Sequence, residues 1–277
     1  MTKKWKVSSL YLIVVFTLLY APIAYLIYYS FNAGGTMNQF SGFTLEHYSA
    51  LADDTRLITI ALDTLRVALL SALLATVIGT LGAIGIYYAK QRRTQQALLS
   101  LNNVLLVSPD VIIGASFLLL FTLTGFRLGF YSVLLSHIAF SIPIVVLMVL
   151  PRLEEMNVNM ITAARDLGAN PWQVLTEIVL PSISPGILAG FFMAFTYSID
   201  DFAVTFFVTG NGFATLSVEI YSRARQGVSL EINALSTLLF LVAMALVIGY
   251  YFIQQQQRTK RKTAKLDPTN HEKAVTP

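Results

Sequence analysis

In the stretch 160–186, MITAARDLGANPWQVLTEIVLPSISPG, a polar segment interrupts an otherwise hydrophobic second half of the chain. Asn170-Pro171-Trp172-Gln173 has the chemistry of a helix start. Asn at the cap accepts from a free amide, Pro fits the first helical position, and Gln two residues on can reach back to the cap. The spacing predicts a helix from Pro171 to about Leu180, where Pro181 lacks an N–H and disfavours a helical residue before it. Upstream, Val158, Ile161, Ala164 and Leu167 recur at helical spacing, and Gly168 suits the left-handed position that ends a helix. A helix, a turn and a second helix are therefore expected between two apolar runs.

Working outward, the composition sets the class. Hydrophobic residues make up 55% of the chain and charged residues only 12%, with a mean hydropathy of +0.65. A soluble domain is about a quarter charged, so this is read as an integral membrane protein, all-α. No cysteine is present, which excludes disulfides, thiolate catalysis and cysteine metal sites. The net charge of +4 gives nucleic-acid binding no support; in a membrane protein the placement of basic residues carries the information.

Six spans are expected: Leu10 to Tyr29, Leu65 to Ala89, Leu98 to Leu123, Tyr131 to Leu150, Ile187 to Val208 and Ile232 to Ile253. The first follows Lys3, Lys4 and Lys6 and resembles a signal peptide. Its apolar run is longer than a signal's, and no clear cleavage site follows Pro22, so it is read as a retained span. The chain divides into 1–60 (first span and outer loop), 61–253 (the main transmembrane domain) and 254–277, a basic tail expected to be disordered. With the N-terminus inside, 14 Lys and Arg residues lie on the inner side and 5 (Arg56, Arg66, Arg127, Arg223, Arg225) on the other. Positive-inside then puts both termini and the 160–186 stretch in the cytoplasm.

Ionisable groups at membrane depth are costly and usually face a pathway or a partner. Asp110 lies beside Pro109 in the third span and Asp200 and Asp201 lie in the fifth, at about 18 and 20 Å from the inner ends of those spans. Successive residues on a helix point about 100° apart, so one of Asp200 and Asp201 is expected to face the pathway and the other a neighbouring helix. Thr196 shares the face of Asp200, and Tyr197 that of Asp201; carboxylates with an aromatic face suit an ammonium group. The alternative is structural, with these acids paired to hydroxyls or to a basic group elsewhere. His137, in the fourth span, is read as a buried histidine bonded to a neighbouring helix, with a proton relay or a ligand contact as the alternative. Gly186 and Gly190, and Gly79, Gly82 and Gly85, are read as close helix packing. Pro22, Pro109 and Pro143 are expected to bend or end helices. No catalytic constellation, metal-ligand spacing or phosphate-binding G-x-x-x-x-G-K-[ST] loop is found, so neither enzyme activity nor P-loop ATP hydrolysis is expected of this chain.

The pattern Thr162-Ala163-Ala164, three residues, Gly168, nine residues, Ile178-Val179-Leu180-Pro181 resembles the EAA loop of permease subunits of bacterial ATP-binding-cassette (ABC) importers. The similarity extends to SPDVIIGASFLLLF (108–121), LGFYSVLLSHIAFSIP (128–143), FTYSIDDFAVTFFVTG (195–210) and IYSRARQGVSLEINALST (220–237), which resemble the permeases of spermidine/putrescine importers. The resemblance implies a type I importer permease fold of six transmembrane helices, with a coupling helix between spans four and five. It also implies alternating access for polyamines at the bacterial inner membrane. The implied partners are a PotB-like permease, two copies of a PotA-like ATPase that bind ATP and Mg, and an extracytoplasmic PotD-like binding protein. Mapped onto this chain, Ala163, Ala164 and Gly168, with Pro171 and Pro181 framing the second helix, would contact the ATPase. The motif's leading Glu is Thr162 here, which puts a salt bridge to the ATPase in doubt. Two other readings stand beside this one: a self-sufficient cation-coupled carrier, which has no need of such a loop, and an importer of another solute. An anionic cargo would be repelled by the aspartates.

Overall fold

The computed structural model describes residues 3–35, 37–226, 230–242, 244 and 245. Apart from an isolated bridge between Asn32 and Phe43, regular structure among them is helical: α1 (Lys3–Ser30), α2 (Glu46–Asp53), α3 (Thr55–Tyr87), α4 (Arg92–Val107), α5 (Asp110–Leu123), α6 (Phe130–Glu154), α7 (Val158–Asp166), α8 (Pro171–Gln173), a π-helical segment Val174–Val179, α9 (Leu180–Asp200), α10 (Ala203–Val208) and α11 (Leu216–Gln226). A further apolar helix, α12, covers Leu230–Val242. The described residues fall into two compact units, one drawn from 1–54 and 223–277 and the other from 55–222.

In the first unit the loop after α1 is built around Asn32, which is fully buried. Its Oδ1 accepts from the Ser41 and Gly34 amides (2.8 and 3.2 Å) and its Nδ2 donates to the Gln39 carbonyl (2.9 Å). The side chain thereby adds to the backbone pairing of the single bridge that closes this loop. Phe31 stacks on Phe43 and Tyr48 above it.

The second unit contains α3, α6 and α9 packed on one another. Small residues let these backbones approach: a Cβ on Gly79 would meet Val145, one on Gly190 would also meet Val145, and one on Gly186 would meet the Met148 carbonyl. Lipid is as apolar as leucine, so such close fitting, rather than hydrophobic burial, holds the helices together. Two apolar cores result. One joins α3, α6 and α9 and includes Ile161 and Val174 from the 160–186 stretch. The other joins α3, α5, α6 and α10 through Val67, Ile113, Phe140 and Val204.

The span expectations change in three places. The third span is two helices bent by 103°, because Ser108 and Pro109 are extended (ψ 136° and 133°) and Asp110 starts a new helix. The fifth ends at Asp200, and α10 is a separate helix after an extended Asp201. Pro181 does not end the second loop helix, which runs on into α9. In the π-helical segment the Leu180 amide bonds five residues back, to the Leu175 carbonyl. That change of register leaves Pro181 in the first turn of α9, where a missing N–H is tolerated. Pro22 and Pro143 likewise sit inside unbroken helices. Among the described residues, four helices and the α4–α5 pair are long and apolar enough to cross a membrane. The expected sixth span, 232–253, overlaps α12, and its remainder lies outside the described residues, as does the 254–277 tail.

Candidate functional site

The 157–180 loop forms as its residue types require. Asn157 caps α7 by accepting from the Asn159 amide (3.0 Å). Gly168 has φ +86°, and the Gly168 and Ala169 amides return to the Arg165 and Ala164 carbonyls, both at 2.9 Å. This is the paired bonding that closes a helix on a left-handed glycine. Asn170 and Gln173 then exchange side-chain-to-amide bonds at 2.9 Å in each direction, the expected capping box. Ile161 and Val174 anchor the loop in the α3–α6–α9 core. On its outer face Thr162, Ala163, Gly168, Pro171 and Pro181 are exposed and Ala164 is half-buried. Two large apolar side chains stand out beside them, Leu167 at 89% exposure and Trp172 at 70%. A cleft of about 220 Å³ opens between the two helices, lined by Ala164, Leu167, Gly168, Ala169, Gln173, Glu177 and Ile178.

The acids expected at membrane depth occupy helix ends. Asp110 begins α5 and accepts from the Tyr197 hydroxyl at 2.7 Å, so Tyr197 is joined to Asp110 rather than to Asp201. Phe140 meets the Tyr197 ring edge-on, with centroids 5.0 Å apart. Asp200, the last residue of α9, and Thr196 are exposed. The Asp200 carboxylate makes no hydrogen bond or ion pair with the described residues, and the Thr196 hydroxyl turns back to the Phe192 carbonyl.

Asp201 is different. It is only 8% exposed, and its carboxylate accepts from the Val204 amide (3.3 Å), the Thr205 amide (2.8 Å) and the Thr205 hydroxyl (2.7 Å). It thus satisfies the open amides at the head of α10. His137 lies 3.5 Å from the same carboxylate oxygen. Because Thr205 gives its proton to Asp201, its oxygen accepts from His137 Nε2 (2.8 Å), which places the imidazole proton there. Nδ1 then accepts from the Ser198 hydroxyl (2.6 Å), itself 3.0 Å from Ser71. The expectation of a buried histidine bonded across helices is met. Its partners Ser198 and Thr205, and Ser71 behind Ser198, escaped the sequence reading, although Ser198, Asp201 and Thr205 recur at helical spacing.

With this geometry in view, residues 75–262 match the family described as "Binding-protein-dependent transport system inner membrane component". The chain belongs to this family. The match takes in the loop and Asp110, His137, Tyr197 and Asp201, while α1 and α2 precede it. Among relatives, this inner membrane component is 39% identical to the spermidine/putrescine transport system permease protein PotC of Escherichia coli K12, over 90% of this chain and 94% of that protein. It is 36% identical to PotC of Haemophilus influenzae, over 86% and 92%. It is 34% identical to the putrescine permease PotI of Escherichia coli K12, over 92% and 93%. It shares its fold with a bacterial ABC transporter that imports alginate, at TM-score 0.69 and 18% identity over 92% of this chain and 96% of that one. The inward-facing methionine transporter MetNI aligns at TM-score 0.55 and 18% identity, over 70% and 92%.

Proposed function

We propose that this inner membrane component is a permease subunit of an ATP-driven importer that carries polyamines into the cytoplasm by alternating access. The observation that carries the reading is the 39% identity to PotC along nearly the whole of both chains. The site chemistry supports it: Asp110 with Tyr197, and an unengaged Asp200 with Thr196 on the preceding turn, offer charge and an aromatic face to a flexible polycation. In this reading the permease body is 61–253, following a first span and outer loop at 1–60, and both termini and the 160–186 loop are cytoplasmic. The loop receives the force of a PotA-like ATPase, present in two copies and binding ATP and Mg, while a PotB-like permease completes the pathway. A PotD-like protein delivers the polyamine.

The test is ATP hydrolysis by the reconstituted transporter on adding binding protein loaded with spermidine, putrescine, another small cation, an anion or a sugar. Stimulation by the two polyamines alone is expected; stimulation by the sugar or the anion would replace the cargo. Within that assay, Asp110→Asn is expected to lower uptake about tenfold with protein level unchanged, the loss of one charge-assisted contact. Tyr197→Phe, which keeps the ring but frees Asp110, should cost less. Equal uptake by Asp110→Asn and wild type would remove Asp110 from the pathway.

A further inference from the structure

The cleft of the 157–180 loop carries an inference that rests on the importer reading and deepens it. Its walls are unlike one another. Leu167, Ala164 and Ile178 make an apolar side, and Glu177 supplies a carboxylate. No side-chain hydrogen bond or ion pair joins Glu177 to the described residues, and it is exposed on the π-helical segment. The last turn of α7 forms part of the wall, and a helix C-terminus carries partial negative charge. Nothing basic lines the cleft. An open cleft with Leu167, Ala164 and Ile178 on one side, and Gln173 and an unpaired carboxylate beside a helix C-terminus on the other, fits one side chain with an aliphatic stem and a cationic head. Arginine fits better than lysine, because its planar fork can bind the carboxylate in two-point fashion and still donate to backbone carbonyls.

We infer that this cleft is a socket for a single arginine side chain of the partner ATPase, gripped by the Glu177 carboxylate and the C-terminal turn of α7. Leu167, which lines the cleft and is exposed, excludes water from the seated guanidinium, which strengthens the pair. Thr162, the neutral residue where the loop pattern has Glu, holds only its own helix, at 3.5 Å from the Val158 carbonyl. The charged contact therefore falls to Glu177 across the turn.

The test uses the complete transporter in proteoliposomes and reads both polyamine uptake and binding-protein-stimulated ATP hydrolysis. Glu177→Lys is expected to lower both by about tenfold or more, since like charges would face each other. Glu177→Gln should lose part of the coupling and Glu177→Asp should keep most of it, with all three variants at normal membrane level because the side chain is exposed. In the Glu177→Lys background, one Arg→Glu reversal among the ATPase surface arginines is expected to restore coupling. Wild-type coupling in Glu177→Lys, or the failure of every reversal to restore it, overturns the socket. A wild-type transporter whose hydrolysis ignores loaded binding protein overturns the importer reading, and the socket with it.

Discussion

Asp201→Ala is expected to abolish recovery of folded protein from membranes, while Asp200→Asn, one residue away, leaves it unchanged. The alanine removes the acceptor for two backbone amides and one hydroxyl. It also strands His137, which is fully buried, beside a Thr205 hydroxyl with no acceptor. Leaving a buried polar group without its partner costs about 1–3 kcal/mol each, and losing a helix cap about 1 more. No water is at hand in the bilayer interior to take over these bonds. Asp201→Asn should fall between, because its carbonyl still accepts from an amide while its NH2 meets a hydroxyl already receiving from His137. The measurement is the yield of monodisperse protein in detergent and its thermal midpoint. If Asp201→Ala purified and melted like wild type, the network would be ornamental, and Asp201 would return to the list of pathway candidates on equal terms with Asp200.

The contrast between these adjacent acids marks where sequence reading stopped. Sequence placed both acids at membrane depth, and a rotation of 100° separated them on the assumption of one continuous helix. The helix in fact ends between them, at a place with no proline or glycine to announce it. What breaks it is the carboxylate of Asp201 turning to cap α10, a tertiary choice supported by His137 from α6 and by the Ser217 hydroxyl on the Asp201 carbonyl (2.6 Å). Local capping within the loop was legible because donor and acceptor lie within three residues of each other, as in Asn170 and Gln173. The Tyr197–Asp110 bond joins residues 87 apart and depends on the 103° bend at Ser108-Pro109. Pro109 signalled that bend, but its direction is set by Gly114 fitting against Val204 and Phe207 of α10. Pro181 misled for the opposite reason: a change of hydrogen-bond register absorbed a residue that ordinarily stops a helix.

Gly168 gives the second large effect, this time on coupling rather than on folding. Its φ of +86° lies in the left-handed region, yet a Cβ there would meet nothing within 4 Å. The cost of any substitution is therefore borne by the backbone, about 1–2 kcal/mol for an ordinary residue, less for Asn and more for a β-branched one. Uptake per permease is expected to fall in the order Asn, Ala, Val, reaching about tenfold or more at Val. Gly168→Asp should fall close to Asn, since its short polar side chain also tolerates the left-handed region. Protein level should hold throughout, since Ile161 and Val174 still anchor the two loop helices in the α3–α6–α9 core. What changes is the angle between those helices, and with it the presentation of Leu167 and Trp172. Radiolabelled polyamine uptake, normalised to permease in the same vesicles, separates the two effects. Wild-type uptake in Gly168→Val would mean that the turn is free to deform, and a turn free to deform cannot transmit the force of an ATPase to α9.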